Sequence, residues 1–186
     1  MDYSPAIGPL LCPTTFCPLG PGKPNEETRP ALEALQPDTA FAPHSVRNAD
    51  MAAACLAALW LRHNFLDQAH SLSQNIDTQT GSYWHGLMHR REPDFANAAY
   101  WFRRVGAHSV FPAVRDAAAT VAAATADPAA RFLVEQGVWN PFDFIELCER
   151  CLGSGGGLEV LCQQIQQREW EILFDYCYRA ATAASS

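Results

Sequence analysis

Asn48-Ala49-Asp50-Met51-Ala52-Ala53-Ala54-Cys55-Leu56-Ala57-Ala58-Leu59-Trp60-Leu61-Arg62 is where the chain changes character. Ahead of it, residues 1–43 hold nine of the 13 prolines, each of which removes an amide donor and biases its predecessor toward extended geometry. From Asn48 onward the apolar residues recur with helical period. Asn48 or Asp50 can cap a helix through Arg62 that is apolar nearly all round, as the central helix of a bundle would be.

The same period continues downstream. Phe65, Ala69, Leu72 and Ile76 repeat at i, i+4, i+7 and i+11 on a second helix, whose other face carries His63, Asp67, His70 and Gln74. Asp77 or Thr80 can cap a third helix through Glu92, which Pro93 stops. A fourth begins at Pro93 or Asp94, ends at Gly106 and turns Phe95, Ala98, Ala99, Phe102 and Val105 to one side. Pro112–Ala124, Pro128–Gln136 and Pro141–Leu152 each place Pro near a first turn. After the glycine-rich turn at 153–157, Leu158 to about Ala180 forms a long last helix with Leu161, Ile165, Ile172 and Tyr176 on one side. No alternating strand pattern and no fixed-period repeat occur. The reading is all-α: a compact bundle of about six to eight helices over residues 47–186, with a Pro-rich N-terminal arm, residues 1–46, laid against it through Ile7, Leu10, Leu11, Phe16 and Leu19.

With 186 residues and 48% hydrophobic content the chain can build a core that needs no staples, since a domain of this size buries roughly 70% of its unfolded surface. Its seven cysteines are therefore read as reduced, and Met1-Asp2-Tyr3-Ser4 lacks the basic start of a secretory signal, so a cytoplasmic location is expected. A net charge of −7, with Lys23 the only lysine, repels phosphate backbones and excludes nucleic acid as a general partner. Met51–Leu61 is about half the length of a bilayer span, which excludes a membrane partner by that route. The sequence sets no oligomeric state.

Chemistry concentrates in residues 82–106, which hold four of the 12 arginines, two of the six histidines and two of the five tryptophans. At about 100° per residue, His85 and His89 stack one turn apart and Glu92 joins their face. Two imidazoles and a carboxylate form a set that a divalent transition metal accepts, although Gly86 stands where the zinc-protease helix carries Glu. If the second and third helices are antiparallel neighbours, His70 falls near His85 and Asp67 near His89, making a His/Asp/His/His/Glu site. The competing reading is structural: hydrogen-bonded histidines, with Glu92 paired to Arg90, Arg91 or Arg103. Metal-free acid–base chemistry by His85, His89 and Glu92 is a third.

Asp94, Asn97, Trp101 and Arg104 repeat on one face of the fourth helix and can border the same pocket, while Arg90, Arg91, Arg103 and Arg104 are candidates to clamp an anion. Cys148-x2-Cys151 with Cys162 and Cys177 has the count of a zinc site but ordinary helix-face spacing, and Cys12 with Cys17 is similarly weak. Gly153–Gly157 follows a helix and carries no Gly-Lys-Ser/Thr, so it is not a phosphate loop.

The run Tyr83–Asp94, with Asn97, Tyr100-Trp101 and Arg103–Gly106, resembles a W-H-x-x-x-H-R-R-E-x-D…N…Y-W…R motif of uncharacterised bacterial and fungal proteins, with a fainter likeness at Gln166–Asp175. The resemblance implies a shared helical domain and supplies neither reaction nor cofactor. The residues themselves lead to a pocket lined by His, Glu and Arg that binds a small anionic or polar molecule, with a divalent metal on His85, His89, Glu92 and His70 and hydrolase- or lyase-type chemistry. The alternative of a different class is a non-catalytic interaction domain that docks a protein through an Arg/Trp-rich surface.

Overall fold

Polar residues at the helix starts set the segmentation. In the computed structural model, which describes residues 2–11 and 17–183, the Asn48 side chain accepts the Met51 N–H at 3.1 Å and opens a helix at Ala49–Arg62. Thr78, in place of the expected Asp77 or Thr80, accepts the Gly81 N–H and opens Gln79–Arg91. Asp94 accepts the Asn97 N–H and opens Phe95–Val105, and Asn140 opens Pro141–Cys151. In chain order the α-helices are α1 (Arg29–Glu33), α2 (Ala49–Arg62), α3 (Leu66–Ser73), α4 (Gln79–Arg91), α5 (Phe95–Val105), α6 (Phe111–Ala122), α7 (Arg131–Glu135), α8 (Pro141–Cys151) and α9 (Gly157–Thr182). Short 3-10 turns lie at Gly8–Leu11, Glu26–Thr28 and Pro128–Ala130, and no strand occurs among the described residues. The chain is an all-α bundle. Cys12 and Phe16 fall outside the described residues.

The centre of the bundle is not α2. Most of α2 is buried, but in α4 every residue from Thr80 to Arg91 is, although the helix carries Thr80, Ser82, His85, His89, Arg90 and Arg91. It packs against α2, α3 and α5 and is tied by side chains to α9. A helix polar on several sides shows no single apolar stripe, which is why hydrophobic periodicity points to α2 instead.

Burying such a helix requires partners for its polar groups. Arg90 and Glu169 of α9 are both fully buried with Nη2 and Oε2 2.6 Å apart. Tyr83 donates to the other Glu169 oxygen at 2.8 Å, Arg90 Nε donates to Gln166 at 3.2 Å, and the guanidinium lies 4.9 Å from the Phe144 ring. Glu169 thus sits on the buried side of α9, while Ile172 and Tyr176, expected there, are half-buried at its edge.

Arg91 faces the N-terminal segment. It donates to the carbonyls of Gly20 at 2.8 Å and Pro21 at 3.1 Å and to Asn64 Oδ1 at 2.6 Å. Arg62 reaches Cys17 and Gln167, and the His63 ring meets the Leu10 carbonyl at 3.0 Å. Ile7, Leu10, Leu19, Leu32 and Phe41 are buried in the same core as the helices that follow.

Gly86 lets α5 approach α4. A Cβ at this position would stand 2.9 Å from two ring carbons of Phe102, a side chain that is itself buried. Gly86→Ala gains about 1 kcal/mol of helix propensity but overpacks this contact at a cost of roughly 1–3 kcal/mol. Urea denaturation is expected to show a net loss of stability, against the propensity order. Glu169→Gln leaves the Arg90 charge buried and unpaired, so a loss of about 3 kcal/mol or more is expected, whereas Arg90→Met combined with Glu169→Leu recovers most of it.

Candidate functional site

Three histidines from two helices meet beside α5. The cap at Thr78 fixes where α4 begins, and His85 and His89, one turn apart, lie with ring centroids 4.8 Å apart and planes within 16° of parallel. α3 packs on α4 and brings His70 edge-on to both rings, at 4.7 Å from His85 and 5.4 Å from His89. Ligand-type nitrogens of the three all lie within 4.8 Å of one another. Trp101 of α5 stacks on His85 at 3.9 Å, and Arg104 lies over the Trp101 ring at 5.3 Å with Asp77 3.6 Å away.

His85 is the exceptional residue. It is 3% exposed, and neither ring nitrogen has a hydrogen-bond partner. Burial, reinforced by the nearby His89 and His70, pushes its pKa down to about 3, so the ring is neutral across the physiological range. His89 is held through Nδ1, which lies 2.9 Å from Glu92 Oε2, while Asn97 Nδ2 lies against the ring, 3.1 Å from Nε2 and 3.4 Å from Nδ1. The Glu92 carboxylate, an acceptor, assigns the proton to Nδ1 and leaves Nε2 as the basic nitrogen. Burial lowers the His89 pKa too, against the opposing pull of the Glu92 carboxylate.

Of the residues singled out in the sequence, the structure gathers His70, His85, His89, Glu92, Asn97 and Trp101. Glu92 contacts the cluster by holding His89 and is not itself part of the group of ligand atoms. Asp94 caps α5 from the surface and Arg104 covers Trp101. Asp67 is exposed and outside the group of ligand atoms, so the five-residue site is not completed, and His63, expected on the same face as Asp67 and His70, is buried against Leu10 and Asn25. Arg90 and Arg91, expected to clamp an anion, are instead spent inside the fold on Glu169, Gln166 and the N-terminal carbonyls. Trp84 is likewise buried and donates to Cys177 Sγ at 3.3 Å, which leaves Arg103, Arg104 and half-buried Trp101 of the expected Arg/Trp surface. The six described cysteines are free and buried, and the only grouping of metal-ligand side chains among the described residues is the histidine one.

Sequence reading missed a second feature, a cleft of about 760 Å³ on the other side of α5. Its walls come from α5, the start of α6, the 137–140 loop and α8, segments too far apart in the chain for any local pattern to join. His108, in this wall, is 7% exposed; it accepts the Val110 N–H on Nδ1 and pairs through Nε2 with Thr80 Oγ1 at 3.1 Å.

Compared with protein-family models, curated proteins and solved structures, the chain has no match. Its chemistry therefore rests on the site itself.

Burial holds the His108 pKa down at about 4 against 6.5 for a free ring. The unfolded chain takes up this proton first as pH falls, so the contribution is complete above pH 6.5 and is lost between 6.5 and 4. Chemical denaturation across that window is expected to show stability falling by roughly 3 kcal/mol through this residue. The slope flattens in His108→Gln, whose amide keeps a donor for Thr80.

Proposed function

We propose that His70, His85 and His89 are the protein ligands of a divalent transition-metal centre, with Glu92 orienting His89 through Nδ1. The observation that carries this reading is His85, a buried imidazole with two unpartnered nitrogens beside two other imidazoles. An unsatisfied buried polar group costs about 1–3 kcal/mol, and a metal bond on one nitrogen offsets that cost. Neutral imidazole is the form that binds metal, and burial keeps His85 in that form. A carboxylate on the far nitrogen of a ligating histidine is the usual device for fixing its tautomer and raising its basicity.

Metal-free acid–base chemistry at His85 is disfavoured, because a proton carrier works best with a pKa near the operating pH and this ring lies at about 3. Three histidine ligands leave a coordination position open, and the ligand class that fits it is a small anionic or polar molecule. A bound metal supplies Lewis acidity and an activated water, the basis of hydrolase- and lyase-type chemistry. The chain's own residues hold and desolvate the centre. Trp101 closes one face of His85, Asn97 lies against the His89 ring, and Arg104 and Asp77 lie at the outer edge. The interaction-domain reading keeps little of its surface, since Trp84, Arg90 and Arg91 are buried.

Untagged protein purified without chelator is expected to carry close to one zinc, manganese, iron or nickel per chain by elemental mass spectrometry, and cobalt is expected to give a protein-bound visible spectrum. His85→Ala and His89→Ala should stay helical by circular dichroism and lose the metal. Glu92→Gln should weaken binding about 10–100-fold, as removal of an outer-shell partner does. Wild-type protein that takes up none of these ions when they are added in excess rules the centre out.

A further inference from the structure

We propose that the cleft between α5, α6 and α8 binds an amphipathic carboxylate, an organic acid with a single anionic head and an apolar body. At about 760 Å³ it has the size of a small-molecule site, and Phe102, Phe111, Pro112, Val138, Trp139 and Phe142 make its walls largely apolar.

Its polar character has one sign. Arg103 and Arg115 line it, and among the described residues no Asp or Glu does, although the chain as a whole carries a charge of −7. Trp139 is 3% exposed, yet its indole Nε1–H has no acceptor, and the Arg115 Nε–H is buried without one too. The N-terminal, positive ends of two helix dipoles also lie at the cleft, where they favour an anion. Phe111 and Pro112 start the 12-residue α6, and Pro141 and Phe142 start the 11-residue α8; the prolines carry no N–H and those of Phe111 and Phe142 are taken by the His108 carbonyl and Asn140 Oδ1, so these ends contribute field and the side chains contribute the donors. Arg115 is not fully neutralised by its surroundings: its partners are Asp116, whose side chain is 67% exposed, and the Gly137 carbonyl at 3.4 Å. Arg103 makes no ion pair among the described residues. Donors with unused capacity over apolar walls match a carboxylate head on a hydrocarbon or aromatic tail, and a cation finds no counter-charge there.

The arrangement involves none of the metal-centre residues, so the two readings stand or fall separately. The test is calorimetric titration of the full chain with decanoate, decanol and decyltrimethylammonium, each below its aggregation threshold. Decanoate is expected to bind at one site, at least about tenfold tighter than the other two, as a charge-assisted contact requires. Arg115→Gln, checked for retained helicity, should lower decanoate affinity about tenfold and leave decanol unchanged. Val138→Asp, at a residue 77% exposed on the rim, should weaken decanoate without unfolding the protein. His85→Ala should bind decanoate like the wild type. Failure of decanoate to bind, equal affinity for the alcohol or the ammonium, or indifference to both Arg115→Gln and Val138→Asp overturns the proposal. So does a dimer seen by sedimentation that Val138→Asp abolishes and decanoate does not affect, because the cleft then belongs to a second copy of the chain.

Discussion

The ion pair between Arg90 and Glu169, fully buried at 2.6 Å, is the constraint on which the arrangement of this bundle turns. Two charges removed from water are tolerable only if they face each other and their remaining donors and acceptors are used. Tyr83 of α4 takes the second Glu169 oxygen and Gln166 of α9 takes Arg90 Nε, leaving Arg90 Nη1 as the one donor of the pair without a hydrogen-bond partner. The rotation of α4 about its axis and the face that α9 turns inward are thereby fixed together. A polar helix sits at the centre because its partners are there, and an apolar helix, α2, packs beside it.

Once Arg90 is held, the other faces of α4 are determined by the helical period. Arg91 faces the N-terminal segment and fastens it through the Gly20 and Pro21 carbonyls. Gly86 faces α5 and admits Phe102. His85 and His89 face α3 and the Trp101 side of α5, where His70 completes the cluster. Arg90 leaves one nitrogen, Nη1, without a hydrogen-bond partner but is held by its other two, whereas His85 has no partner on either ring nitrogen. A buried ring with no hydrogen bond at all gives the histidine cluster its chemical interest.

α5 separates two environments of opposite demand. Asn97 and Trp101 look onto a crowded set of nitrogens whose lone pairs suit a cation, while Phe102 and Arg103 look onto an apolar cleft rich in donors and suited to an anion. The same helix serves both because residues one position apart differ by about 100° around its axis. The close contact of Phe102 on Gly86 sets the spacing of α5 from α4 between the histidine cluster and the cleft.

Period and capping chemistry made the helices readable in the sequence: Asn48, Asp94 and Pro141 mark their starts, and the apolar set Phe95, Ala98, Phe102 and Val105 is the buried or half-buried face of α5 as its spacing requires. The pairing of His85 with His89 was equally local, as was the contact of Glu92 with His89, since i, i+3 and i+4 neighbours meet on any helix. The addition of His70, the diversion of Arg90 and Arg91 into the core, the exclusion of Asp67 and the whole of the cleft were decided by tertiary structure. Each depends on which residue from a distant segment stands opposite, and charge makes this sharper. An arginine reads the same in sequence whether it clamps a ligand or is consumed by a glutamate 79 positions away, and only the packing that removes both from water tells them apart.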